Sequence, residues 1–223
     1  MILTLDQVLT PAELAVLQGD LAGAEFVDGK LTAGWHAQMV KQNQQAAAGD
    51  PLAQRCQITI AAALERHRLF QAAVRPKQVR PALINRYDVG MAYGYHTDNA
   101  LMNAPEGMLR SDVSMTVFLT APEDYDGGEL VIETGLGEQA FKLAAGDAIV
   151  YPSSTLHQVT AVTRGTRLAA VTWIQSWVRS PAHREILFDL DTARQVMFAQ
   201  QGKTPQFDLI SKSLSNLLRE WVE

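Results

Sequence analysis

In Tyr87-Asp88-Val89-Gly90-Met91-Ala92-Tyr93-Gly94-Tyr95-His96-Thr97-Asp98, the last three residues set an imidazole and a carboxylate two positions apart. On a β-strand, residues i and i+2 point to one face. On an α-helix they diverge by about 200°. A strand carrying His96 and Asp98 therefore aims both at a single point. His157, far along the chain, supplies a second imidazole from another strand. Two histidines and one carboxylate on one side of a metal ion leave its other positions open, a ligand set suited to ferrous iron. Cysteine ligands would select softer or structural sites. Arg167, ten residues beyond His157, offers a planar fork matched to a carboxylate, the group a 2-oxo acid would present.

Outward from this stretch the pattern is short strands. Leu83 to Tyr87 is strand-like, and Tyr95 to Asp98 is a short strand. Residues 99–111 are polar with Gly and Pro and are expected to form a loop. It directly follows the ligand strand, so it is placed either as a lid over the substrate or as a plain surface loop. Val113 to Leu119 alternates, residues 122–128 (PEDYDGG) signal a turn, and 129–133, 140–143, 147–151, 158–162 and 167–178 continue the series. Many short strands with Gly/Pro turns predict a mainly β sandwich or jelly roll. Helices flank it. Thr10-Pro11 opens one to about Gly19, and Asp50-Pro51 opens another from Leu52 to Phe70. Ser180-Pro181 and Thr204-Pro205 open two more, with Gly202 ending the first of that pair. Trp35 to Gln42 alternates in part and is expected as a strand. In the last helix Phe207, Ile210, Leu214, Leu217 and Trp221 form an apolar stripe that packs on its own domain or, alternatively, in a homo-oligomer.

The 223 residues suffice for one well-buried domain. The segmentation expected is 1–77 as a helical and strand support, 78–178 as the core, and 179–223 as a helical segment, together one compact unit. A net charge of −5, with no Lys/Arg cluster longer than a pair, argues against nucleic acid and anionic membranes as partners. The single cysteine, Cys56, excludes an intrachain disulfide and fits a reducing compartment. No apolar run approaches the ~20 residues that span a bilayer. The first residues carry no basic region, so no signal peptide is read. A cytoplasmic location is the expectation.

Tyr87-x-x-Gly90-x-x-Tyr93-x-x-His96-x-Asp98, then Gly146 to Pro152 (GDAIVYP), then His157 and Arg167, resembles the Fe(II)- and 2-oxoglutarate-dependent dioxygenases of the prolyl-4-hydroxylase-like branch. More closely, the chain is similar to the bacterial PKHD-type hydroxylases, a family associated with iron uptake. The match runs from about Gln78 to Val178, and Ser180 to Ala193 also fits that subgroup. The resemblance implies a double-stranded β-helix, iron held by His96, Asp98 and His157, and 2-oxoglutarate bound by Arg167. It implies O2 as co-reactant, L-ascorbate as reductant, and a small-molecule or peptidyl substrate, prolyl-like or linked to iron uptake.

Strand logic agrees with the Arg167 assignment. His157 closes one late strand and Arg167 opens the next, which crosses to the facing sheet about 10 Å away. Arg167, Ala169, Val171 and Trp173 share one strand face, so Trp173 either walls the pocket or packs in the core. Tyr87 is placed to bind or line the cosubstrate pocket, with Tyr93 and Asn85 as further candidates. Arg164 precedes Gly165 and reads as an exposed turn. His36, His67 and His183 read as surface or interface residues. Two other functions fit the same residues: a cupin-like metalloenzyme using no 2-oxo acid, and a non-catalytic iron or 2-oxoglutarate sensor.

Overall fold

Helices begin where the sequence puts a capping side chain before a proline. In the structure, a computed structural model describing residues 1–105 and 107–223, α1 (Pro11–Gly23) starts behind Thr10. The Thr10 hydroxyl accepts from the Glu13 amide at 3.3 Å, and the Glu13 carboxylate accepts from the Thr10 amide at 2.9 Å. Asp50 likewise caps α2 (Pro51–Arg66), accepting from the amides of Leu52 and Ala53 at 2.7 and 3.0 Å. The helix expected to run unbroken to Phe70 stops one turn early. His67 leaves the helical region, and its Nδ1 accepts from the Phe70 amide at 3.2 Å, capping α3 (Arg68–Val74). The break turns Phe70, Ala73 and Val74 inward, where all three are buried. α4 (Pro181–Gln201) and α5 (Pro205–Trp221) start behind Ser180 and Thr204.

Between these helices lie short strands. In chain order they are β1 (Leu3–Leu5), β2 (Phe26–Asp28), β3 (Lys41–Gln42), β4 (Gln44–Ala46), β5 (Pro76–Val79) and β6 (Leu83–Tyr87). Then come β7 (Ala92–His96), β8 (Leu101–Ala104), β9 (Gly107–Arg110), β10 (Val113–Phe118), β11 (Asp126–Gly127) and β12 (Leu130–Thr134). The series ends with β13 (Gly137–Phe141), β14 (Ala148–Pro152), β15 (His157–Val159), β16 (Val162–Arg164) and β17 (Arg167–Ser176). The major sheet has the order β1-β14-β10-β17-β6-β4-β2, with β5 also on β17; the minor sheet has the order β13-β12-β15-β7-β3. The pairings are antiparallel, and the two sheets form the jelly roll that the strand pattern predicts.

Two expectations fail locally. Trp35 to Gln42 is not a strand. It is a turn and a short 3₁₀ segment, Ala37–Val40, followed by the two residues of β3. Trp35 and Met39 are exposed, so this stretch has no buried face to hold an extended conformation. Residues 99–111 are not an open loop, because β8 and β9 pair as a hairpin with Met102 opposite Leu109. Leu109 is completely buried and anchors it.

The core explains why β10 is buried at all six positions. Met115 and Val117 face the helices, packing with Leu17, Leu21, Ile60 and Phe70. Ser114, Thr116 and Phe118 alternate to the other face, toward the minor sheet. Each fully buried Leu, Ile or Phe in this layer contributes about 1.5–3 kcal/mol. The α5 stripe is spent within the chain: Leu214, Leu217 and Trp221 pack with Val178 and Leu187, and Phe207 meets Phe198 at 5.1 Å between ring centroids.

Candidate active site

β7 and β15 lie side by side in the minor sheet with His96 directly opposite His157. That register brings the two imidazoles to 4.3 Å between ring centroids. Asp98 lies two residues past the end of β7 rather than on it, so the shared strand face expected for His96 and Asp98 is not what joins them. The carboxylate is turned inward by Ser114 on the facing sheet, whose hydroxyl donates to Asp98 Oδ2 at 2.5 Å. Ser114 in turn is 2.8 Å from the Ser153 hydroxyl, and both serines are buried. The result is one ligand atom each from His96, Asp98 and His157, all within 4.8 Å of one another.

The protonation pattern suits a metal. His96 Nδ1 lies 2.8 Å from the Gly94 carbonyl and His157 Nδ1 lies 2.9 Å from the Thr155 carbonyl. A carbonyl only accepts, so each Nδ1 carries the hydrogen and each Nε2 keeps its lone pair for the centre. His157 Nε2 is 3.8 Å from Asp98 Oδ2, too long for a hydrogen bond and close enough for two ligands of one ion. Burial, reinforced by the neighbouring His157, pushes the His96 pKa down to about 4, which favours the neutral imidazole. Tyr93 stacks on the His96 ring at 3.6 Å, and Tyr151 meets the His157 ring edge at 5.1 Å. Gly94 has no room for a side chain, since a Cβ there would come within 2.9 Å of Val40.

Across the cavity Arg167 is 2% exposed at the start of β17. Its guanidinium lies over the faces of Tyr87 and Phe118, at 5.2 and 5.5 Å from the ring centroids. Among the described residues its Nε, which is buried, has no hydrogen-bond partner. The buried Tyr125 hydroxyl beside it also lacks a partner. Gly128, at a φ of 66°, lets the chain pass so close that a Cβ would meet Arg167 Cδ at 3.0 Å. Arg164 is committed elsewhere, to Asp126 at 2.7 Å on the surface.

The cavity between these groups has a volume of about 260 Å³. Tyr87, Tyr93, Asn85 and Trp173 all line it. Asn85 Oδ1 accepts from Asn43 at 3.0 Å and Gln45 at 2.8 Å, a buried amide cluster beside Tyr87. Burial raises the Tyr87 hydroxyl above its ordinary pKa. Met102 and Asn103 of the hairpin also line the cavity. The other histidines stay out: His67 caps α3, and His183 stacks on Trp221 at 4.0 Å. Sequence reasoning missed Ser114, Lys41, Arg80 and Tyr125. Ser114 had a signal, a hydroxyl at a position whose alternation pointed into the sandwich. Lys41 and Arg80 lie outside the stretches that carried motifs.

The model of the 2OG-Fe(II) oxygenase superfamily matches residues 82–175. A PKHD-type hydroxylase of Gloeothece citriformis is 58% identical over 223 residues, the full length of both chains. Among solved structures, a 2OG-Fe(II) oxygenase-family oxidoreductase from Burkholderia pseudomallei superposes with a TM-score of 0.55 at 21% identity, covering 77% of this chain and 82% of that one. A prolyl hydroxylase from Trichoplax adhaerens, in complex with a hypoxia inducible factor oxygen degradation domain peptide fragment, gives 0.54 at 13% identity, covering 78% and 82%. At those identities the solved structures speak for the jelly-roll fold. The full-length match speaks for more: this chain belongs to the PKHD-type hydroxylases and is a 2-oxoglutarate-dependent hydroxylase.

Proposed function

We propose that His96 Nε2, His157 Nε2 and the Asp98 carboxylate hold the ferrous ion, and that Arg167, lying on Tyr87, receives the distal carboxylate of 2-oxoglutarate. One observation carries this reading: two imidazoles and a carboxylate meet on one wall of a cavity whose opposite wall holds a buried guanidinium with an unpartnered Nε. The nitrogen and oxygen donors suit Fe(II). Iron so held supplies oxygen activation, in which O2 converts 2-oxoglutarate to succinate and CO2 and one oxygen atom enters a substrate C–H bond. The chain's own part is positional. The carbonyls of Gly94 and Thr155 fix the imidazole tautomers, and Ser114 fixes the carboxylate. Tyr93 and Tyr151 pack against the ligand rings and exclude water. Arg167 sets the cosubstrate's direction.

Family membership sets aside the cupin-like and sensor readings. The finer assignments belong to this proposal: residues 78–178 carry the chemistry with 1–77 and 179–223 as braces, ascorbate is the reductant, and the substrate is prolyl-like or a small molecule. A buried free Cys56 supports a cytoplasmic site of action. Among the described residues no helix is long and apolar enough to cross a membrane. Under anaerobic conditions, 2-oxoglutarate added to Fe(II)-loaded protein should produce a weak visible charge-transfer band. On admitting air, succinate should accumulate even without substrate. Absence of both from the Fe(II)-loaded protein would sink the proposal.

A further inference from the structure

The cavity holds more positive charge than this chemistry uses. Its charged lining residues, among those described, are Asp98, Arg167, Lys41 and Arg80. With the placement argued above, on which this inference rests, the ferrous ion offsets the 2-oxoglutarate dianion and Arg167 offsets Asp98. Lys41 and Arg80 remain. Neither makes an ion pair within 4.0 Å among the described residues. Lys41 is 5% exposed, over the Tyr93 ring at 5.1 Å, with the Thr32 hydroxyl 3.4 Å away as its hydrogen-bond partner.

Arg80 marks the place. Its backbone amide donates to the Trp173 carbonyl at 3.0 Å, and its guanidinium lies 5.4 Å from the centroid of the Trp173 ring. Nε donates to the Asn103 carbonyl of the hairpin at 3.1 Å, which orients the fork. Nη1 is buried without an acceptor, and the indole Nε1 of Trp173 is in the same state. Two buried donors without acceptors at one end of a cavity are costly unless something accepts from them. Trp173 stands six residues beyond Arg167 on the same strand, about 20 Å of extended chain. A five-carbon diacid anchored on Arg167 falls far short of that end. The cavity lining it shares has an apolar part, formed by Leu83, Leu101, Met102 and Val171, and a polar part that includes Thr32, Gln45 and Asn103.

We infer that the substrate is a small carboxylic acid with an apolar body, its carboxylate received by the Arg80 fork against Trp173 at the end of the cavity away from Arg167. The cavity's modest size, shared with 2-oxoglutarate, fits a molecule about as large as one amino-acid residue. Arg80 then determines specificity, and the hairpin acts through Asn103 by holding its guanidinium.

Benzoate and benzamide serve as probes that share an apolar ring and differ in charge. Each is titrated by equilibrium dialysis against the full chain loaded with Fe(II) and saturating 2-oxoglutarate, with oxygen excluded. The wild type should bind benzoate about ten-fold more tightly than benzamide, the scale of a charged hydrogen bond. Arg80→Gln should erase that preference while leaving 2-oxoglutarate affinity within about two-fold, the scale of residual coupling between separated sites. Arg80→Lys should restore part of it, and Trp173→Phe, which keeps a ring under the guanidinium, should weaken benzoate alone. Equal or no binding of the two probes, a preference that survives Arg80→Gln, or displacement of 2-oxoglutarate by benzoate would each overturn the inference. Failure of the iron and 2-oxoglutarate placement would show separately, as loss of the charge-transfer band before any probe is added.

Discussion

Replacing Arg167 by methionine tests the cosubstrate anchor with two readouts of different size. The guanidinium is buried, makes no ion pair among the described residues, has an unpartnered Nε, and is held by the faces of Tyr87 and Phe118. Each ring contact contributes about 0.5–2 kcal/mol, and these losses oppose the relief of taking an unpaired cation out of a buried site. Methionine keeps most of the volume. The stability of the ligand-free protein should therefore change little. Bound 2-oxoglutarate is different, because the variant leaves its distal carboxylate buried and unpaired, at a cost of about 3–5 kcal/mol. That is a loss of roughly a few hundred- to a few thousand-fold in affinity. Anaerobic titration of the Fe(II)-loaded variant, followed by the visible charge-transfer band, measures the affinity, and circular-dichroism melting measures the ligand-free stability. Affinity within ten-fold of wild type would refute the anchor and direct attention to Lys41 or Arg80. A collapse of ligand-free stability would instead make Arg167 a structural cation.

How much of this was readable beforehand depends on the range of the interactions involved. The helix starts at Thr10, Asp50, Ser180 and Thr204 were legible because a cap and a proline act within one turn. That His96 and His157 come together with Asp98 was legible because residue type and spacing single them out. Asp98 was found for a partly mistaken reason. The carboxylate reaches the centre from outside β7, pulled in by Ser114, a contact across 16 residues that no local pattern announces. The break at His67 was missed because the apolar periodicity continues through it. What decides the break is where Phe70 and Val74 find a core, a tertiary choice. The hairpin of β8 and β9 was missed because Pro105 and Gly107 read as loop punctuation, and the strands they separate are only four residues each, with the pair Met102 and Leu109 opposite one another. Lys41 and Arg80 were missed because a cation's lack of a partner is a statement about everything around it.

Two further substitutions probe the site from its edges. Ser114→Ala should weaken Fe(II) binding about 10–100-fold, the usual effect of losing a hydrogen bond that orients a metal ligand. Competition against a chelator reads it, and unchanged affinity would show that Asp98 needs no such support. Lys41→Met should stabilise the ligand-free protein at neutral pH. Burial lowers the Lys41 pKa from 10.5 to about 8, which corresponds to about 3 kcal/mol acting against folding below pH 8. Between pH 8 and 10.5 the unfolded chain holds this proton more tightly than the folded one, so wild-type stability gains with rising pH from this group. The variant lacks that gain. Its advantage over wild type in urea unfolding should be greatest at pH 7 and close by pH 10.5, with the tyrosines and Cys56 contributing alike to both proteins. A difference that does not vary with pH, or a variant less stable than wild type at pH 7, would mean that the Lys41 ammonium is already compensated within the fold, and with it would go half of the surplus charge that points to an acidic substrate.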